Sequence, residues 1–317
     1  MTASGSVNIL DRMDSRAQPV SASQPLRLPG AGGLALHADR YGQPDTPPQL
    51  LYTHGFGQNR RAWSGTATTL AAQGWSGLAI DARGHGDSAW LPGGDYALEQ
   101  FVDDLRAVCA TLPSAPVLVG ASMGGLVALL AQGEGEQPLF RGLVLVDVTP
   151  RWERAGVDRI LGFMAAHPDG FASLDAANQA VAAYLPHREG KDPDRLRSQL
   201  RRREDGRWHW HWDPRLLGPV ASSAEQYIPR LQAAAARIQI PTLLLSGSLS
   251  DVVSDHTIAE FRDLVPHAEH VVVDQATHLV VGDRNDAFSS EILNWLGRRF
   301  GEPAMSPSSP MPLAASP

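Results

Sequence analysis

The chain is poor in sulfur, in aromatic rings and in charge. A single cysteine, Cys109, excludes a disulfide within the chain and a cysteine-rich metal site. Aromatic residues are 7% and charged residues 19% of the 317 residues, so large clusters of either kind can arise only where the sequence concentrates them. Lys and Arg number 27 against 34 Asp and Glu, a net charge of -7 that offers no basic face for a phosphate backbone, and no nucleic-acid partner is expected. No apolar run approaches the roughly 20 residues of a membrane-spanning helix. Met1–Gln24 lacks the basic start and apolar stretch of a secretory leader, so a cytoplasmic location is expected. Residues 1–24 and 302–317 are expected to be disordered tails; the latter is rich in Pro, Ser and Ala. The scattered histidines lack metal-ligand spacing such as H-E-x-x-H, and neither metal nor cofactor is expected.

What is present is a rhythm. Short, mostly apolar runs such as Leu50–Thr53, Gly77–Ile80, Val117–Val119 and Leu143–Val148 alternate with helical patterns such as Arg61–Gln73 and Leu98–Leu112. Apolar strands alternating with helices predict a mostly parallel sheet covered on both faces. Leu26–Tyr41 reads as a hairpin in front of it. The rhythm stops after Pro150 and resumes at Pro241, with a strand to Ser246, a helix from about His256, a strand over Glu269–Val273 and a last helix over Ala287–Phe300. Residues 25–150 and 240–301 are therefore read as one core domain, and 151–239 as a helical insertion after the sixth strand.

The strongest chemical signal is Gly120-Ala121-Ser122-Met123-Gly124-Gly125, directly behind the apolar run and ahead of a helix. G-x-S-x-G between a strand and a helix is a sharp turn that lifts a serine hydroxyl clear of the sheet, with glycines where strand and helix pass closely. A serine hydroxyl needs a base and an acid to attack at neutral pH. The base is His278, in the loop after the last strand. Two acids end neighbouring strands: Asp251, in Gly247-Ser248-Leu249-Ser250-Asp251, and Asp147. Asp251 has the better case, since it lies in a loop past its strand and is followed by Val252-Val253; Asp147 otherwise reads as a hinge residue bonded to backbone. Charge developing on a carbonyl oxygen needs N–H donors, and Met123 and Phe56 in His54-Gly55-Phe56-Gly57 are the candidates.

These segments, with Asp81-Ala82-Arg83-Gly84-His85-Gly86-Asp87-Ser88, resemble the α/β-hydrolase family in order and spacing from about Leu26 to Phe300. The resemblance implies an α/β-hydrolase fold and a capped serine esterase, with 151–239 as the cap, hydrolysing carboxylic esters of small to medium, mostly apolar substrates through an acyl-enzyme. Lactonase, carbon–carbon hydrolase and perhydrolase activities are alternatives on the same triad, and a ligand-binding receptor is an alternative of another class. Arg83 stands where carbon–carbon hydrolases of the family commonly carry Pro, and Ser122 where epoxide- and halide-processing members carry Asp. The expected partner is a small ester or acyl substrate, on a monomer or homodimer, without a membrane. Trp152, Trp210, Trp212 and Leu279 are candidate pocket residues, although Trp208-His209-Trp210-His211-Trp212 reads first as a short strand fastening the cap. His54 and His85 are expected to be structural, Asp81 and Asp87 to organise their loop, and Arg201-Arg202-Arg203 to form a solvated helix face.

Overall fold

Apolar residues at both parities of each central strand require helices on both sides of the sheet. The computed structural model describes residues 23–94, 96–184, 196–219, 224–278 and 285–303. In chain order its strands are β1 (Gln24–Pro29), β2 (Ala35–Tyr41), β3 (Leu50–Thr53), β4 (Gly77–Ile80), β5 (Val117–Ala121), β6 (Gly142–Val146), β7 (Leu200–Arg202), β8 (Trp208–Trp210), β9 (Thr242–Gly247) and β10 (Glu269–Val273). Its α-helices are α1 (Ser64–Ala72), α2 (Leu98–Ala110), α3 (Met123–Gly133), α4 (Arg154–Ala165), α5 (Leu174–Tyr184), α6 (Ile228–Ala235), α7 (Asp255–Leu264) and α8 (Asn285–Phe300). An eight-stranded sheet runs β1-β2-β4-β3-β5-β6-β9-β10. The pairs β1–β2 and β2–β4 are antiparallel and all the others parallel.

Strand parity divides the core. Leu51, Leu118, Leu143 and Leu244 face one layer, with Leu105, Val108, Leu129, Leu231 and Phe261 from α2, α3, α6 and α7. Tyr52, Val119, Val144 and Leu243 face the other, with Leu70, Phe288 and Trp295 from α1 and α8. Burying one such side chain contributes about 1.5–3 kcal/mol, so this two-sided burial is the main force aligning the strand ends on which the site is built.

The segment between β6 and β9 is mainly helical, as expected, and the expected short strand at Trp208–Trp210 is there with a partner the sequence did not announce. It contains α4, α5 and α6 but also the antiparallel β7–β8 hairpin, with Leu200 opposite Trp210 and Arg202 opposite Trp208. Arg201 and Arg202 are strand residues rather than a solvated helix face, and Arg201 reaches the Gly86 carbonyl and the Asp87 carboxylate. Alternation explains why: the hairpin sends successive side chains to opposite faces, so the arginines need no common solvent side. The expected tails lie almost wholly outside the described residues, as does Leu279.

Candidate active site

The backbone does at Ser122 what the glycine spacing demands. Ser122 adopts φ 47° and ψ -120°, a conformation that L side chains rarely hold. Its N–H still bonds the Val146 carbonyl across the sheet at 3.1 Å, and its carbonyl accepts from Gly125 and Leu126 as α3 begins. The turn is clamped from both sides. A Cβ at Gly120 would meet the Gly124 backbone at 2.9 Å, and one at Gly124 would meet the Thr53 carbonyl at 2.6 Å. Neither position accepts a side chain without moving strand or helix.

His278 completes the approach. Its Nε2 lies 3.2 Å from Ser122 Oγ, and its Nδ1 lies 2.7 Å from Oδ2 of Asp147. Asp147 is fully buried, follows β6 directly and has a positive φ of 49°. Its Oδ1 accepts from Gly247 N–H at 2.9 Å, and its Oδ2 also accepts from the Ser250 hydroxyl at 2.6 Å. A carboxylate holding Nδ1–H leaves Nε2 as the acceptor facing the serine, the tautomer that proton removal from Ser122 requires.

Asp251, preferred from the sequence, is not the partner of His278. Its carboxylate pairs with Arg159 of α4 at 2.6 Å, with both side chains substantially exposed. The reason is directional. The turn after β9 is closed by Ser250 N–H donating to the Gly247 carbonyl, which aims the Ser250 side chain at Asp147 and Asp251 towards α4. Asp147 also accepts a backbone N–H, from Gly247, as its hinge reading expects.

Three buried histidines organise the rim. His54 donates from Nδ1 to the Gly55 carbonyl at 2.8 Å and accepts Ala82 N–H on Nε2 at 3.0 Å. His85 donates to the Arg83 carbonyl at 3.0 Å and accepts Gly57 N–H at 3.1 Å. His211 accepts Gly86 N–H on Nδ1 at 2.9 Å and faces Gln199 Oε1 through Nε2 at 3.2 Å. Each ring accepts a backbone proton, so each is neutral. Burial pushes all three below the ordinary imidazole range, His211 to about 3. They tie the 54–57 loop to the 82–86 loop, and that loop to the hairpin. Asp81 organises the same turn, accepting the Arg60 and Asp87 N–H groups at 2.6 and 2.8 Å and pairing with the Arg60 guanidinium. Asp87 also pairs with Arg60, at 2.8 Å. Arg83 is withdrawn from the site, held by two 2.6 Å hydrogen bonds to buried Asp104.

Phe56 and Met123 are half-buried, and among the described residues neither main-chain N–H is hydrogen-bonded. Gly57 supports the Phe56 loop with φ 74°, and a Cβ there would meet Met164 Cε at 2.6 Å and Trp212 Nε1 at 3.6 Å. Met164 of α4 and Trp212 thus lie directly on the loop. Trp212 is buried in the main core, in keeping with a fastening role. Trp210 is half-buried between Phe163 and Phe171, with ring centroids 5.8 and 5.3 Å away. Trp152 packs half-buried against the same core. Sequence reasoning missed Ser250, His211 and Met164. The one signal available was the strict Trp/His alternation over 208–212, which puts His211 on the face opposite the tryptophans.

Comparison with known proteins agrees with this architecture. A family model described as alpha/beta hydrolase fold matches residues 48–284. The esterase Rv0045c of Mycobacterium tuberculosis (strain ATCC 25618 / H37Rv) is 31% identical over 259 residues, covering 79% of this chain and 82% of the relative. Its crystal structure superimposes with a TM-score of 0.69 at 28% identity, covering 88% and 93% of the two chains. A 3-hydroxybutyrate-oligomer hydrolase of Cupriavidus necator is 27% identical over 261 residues, covering 78% of this chain and 88% of the relative. In fold alone, the crystal structure of E-2-(acetamidomethylene)succinate hydrolase is similar with a TM-score of 0.75 at 24% identity, covering 87% of this chain and 99% of that one. Among the described residues no helix is long and apolar enough to cross a membrane. With its parallel sheet, its strained serine at the strand-to-helix turn and a family match over most of its length, the chain is a hydrolase belonging to the α/β-hydrolase family.

Proposed function

We propose that the protein hydrolyses carboxylic esters of small to medium, mostly apolar acyl compounds through an acyl-enzyme. The observation that carries this reading is the continuous line from Ser122 Oγ to His278 Nε2, 3.2 Å, and from His278 Nδ1 to Asp147 Oδ2, 2.7 Å. Ser122 attacks the ester carbonyl as His278 takes its proton. Asp147 holds the imidazole in its reactive tautomer and stabilises the imidazolium that forms. The Phe56 and Met123 N–H groups receive the developing oxyanion, which one such donor stabilises by about 3–4 kcal/mol. The alcohol leaves with the proton from His278, and water repeats the sequence on the acyl-enzyme.

The inserted segment 151–239 acts as a cap over this centre. Met164, Phe163 and Trp210 give it an apolar underside, which favours apolar acyl groups over charged ones. The esterase and ester-oligomer relatives support the bond type. Arg83, bound up with Asp104, is unavailable to a substrate, which leaves the carbon–carbon reading without a specific support.

The test is labelling with a fluorophosphonate followed by mass spectrometry, together with turnover of p-nitrophenyl acetate, butyrate and octanoate beside a lactone and a peracid assay. Label on the Ser122 peptide and turnover of the esters, both absent from Ser122→Ala, are expected. Faster lactone or peracid turnover would reassign the substrate class, and label on another residue would remove the mechanism.

A further inference from the structure

The Asp147 carboxylate is held by more than its histidine. Of the three donors on it, two come from one tight turn after β9: Gly247 N–H on Oδ1 at 2.9 Å and the Ser250 hydroxyl on Oδ2 at 2.6 Å. Ser250 is itself oriented. Its Oγ accepts the N–H groups of Val252 and Val253 at 3.2 and 3.1 Å. With two backbone donors on its lone pairs, the hydroxyl has one direction left for its own proton, towards Asp147. It therefore shares Oδ2 with His278 and fixes the carboxylate's rotation about its side chain. The arrangement matters because Asp147 sits at the end of a strand with a strained φ of 49° and is fully buried, where a carboxylate lone pair left without a donor is costly.

We infer that Ser250 is a positioning residue for the proposed reaction: its hydroxyl, set by the Val252 and Val253 amides, fixes the Asp147 oxygen that orients His278. This rests on the Ser122–His278–Asp147 reading. It assigns to the turn after β9 a share in the reaction without a carboxylate of its own, and Asp251, next in sequence, stays outside the network on Arg159.

The experiment compares Ser250→Thr with Ser250→Val, two side chains of the same shape with and without the hydroxyl, alone and combined with Asp147→Asn. The readouts are kcat and KM for p-nitrophenyl butyrate, the rate of fluorophosphonate labelling, and the melting temperature. One hydrogen bond to a charged acceptor corresponds to about a 10- to 100-fold loss. Ser250→Val is expected to lose kcat and labelling rate by that factor with KM within about twofold, and Ser250→Thr to retain most of both. In the Asp147→Asn background the Val and Thr forms should be equal, because the group through which Ser250 acts has been changed. Equal kcat for Thr and Val in the parent enzyme, or the same Val penalty with and without Asp147, would overturn the inference. Wild-type activity in Asp147→Asn alone would instead overturn the triad reading beneath it.

Discussion

The imidazole of His278 and the carboxylate of Asp147 meet at 2.7 Å, at the point where the chain leaves β6 in a left-handed conformation. β6 is hydrogen-bonded to β5 on one side and to β9 on the other, so its end lies between the serine and the turn that carries Ser250. Asp147→Asn is expected to lower kcat about ten-thousandfold with little change in KM, since an amide favours the wrong tautomer. Asp251→Asn removes a half-exposed ion pair with Arg159 that does not touch His278, and should leave kcat within about twofold. Steady-state kinetics on the two variants decide this; a large loss in the second and none in the first would reverse the assignment.

Strain at Ser122 gives a second expectation. A non-glycine residue at φ 47° and ψ -120° costs on the order of 1–3 kcal/mol. Ser122→Gly relieves it, whereas Ser122→Ala keeps it. Both should be inactive, yet the glycine variant should be at least as stable as the alanine variant in urea titration. The usual order at a relaxed position is the reverse, by about 0.5–1 kcal/mol. Finding that usual order would mean the turn is not strained.

The neutral histidines set a pH limit. In the unfolded chain His54, His85 and His211 take protons near the ordinary value of about 6.5. Burial holds all three lower in the folded protein, His211 at about 3. Their contribution to stability is therefore complete above about pH 6.5 and is lost as the pH falls below it, each adding up to about 1.4 kcal/mol per pH unit to the slope. The nearby charges of Arg60, Asp81, Asp87 and Arg201 stay paired with one another. Unfolding free energy measured from pH 7.5 to 4.5 should fall steeply. In His211→Gln, which keeps an acceptor for Gly86, the slope should be shallower by about one proton. An unchanged slope would show that His211 titrates normally.

Arg83 and Asp104 form a buried pair with side-chain exposures of 5% and 6%, and Asp104 also accepts Ala31 N–H at 2.8 Å. Removing either partner strands the other without water. Asp104→Ala or Arg83→Ala should destabilise the fold by about 3–5 kcal/mol. The fraction that remains folded should keep its kcat, measured against active-site titration. A selective loss of kcat with stability intact would put Arg83 in contact with substrate after all.

The parts legible in the sequence were those with a local physical signature. Leu50–Thr53 and Val117–Val119 read as buried strands because both parities are apolar, and Ser122 read as the apex of a sharp strand-to-helix turn because Gly120 and Gly124 flank it at the distance that close packing requires. Which aspartate meets His278 was legible only as a choice of two. Asp147 and Asp251 follow neighbouring strands, and the choice depends on which way each side chain leaves the backbone. A positive φ at Asp147 decides it, and nothing in Val146-Asp147-Val148 announces that conformation as a glycine would. The hairpin was half legible: the Trp/His alternation over 208–212 read as a short strand, while its partner β7, Leu200-Arg201-Arg202, carries too little periodicity to read as one. Ser250 had no signature of its own beyond lying beside the expected acid.

The hairpin is stitched to the rim by Gly86–His211, by Asp213 N–H on the Gly84 carbonyl at 2.8 Å and by Asn59 on the Ser198 carbonyl at 3.1 Å. At the other root of the insertion, Glu153 N–H is fastened to the Val252 carbonyl at 2.8 Å. A segment moored at both of its roots cannot swing away from the sheet as a rigid flap without breaking hydrogen bonds on both sides at once.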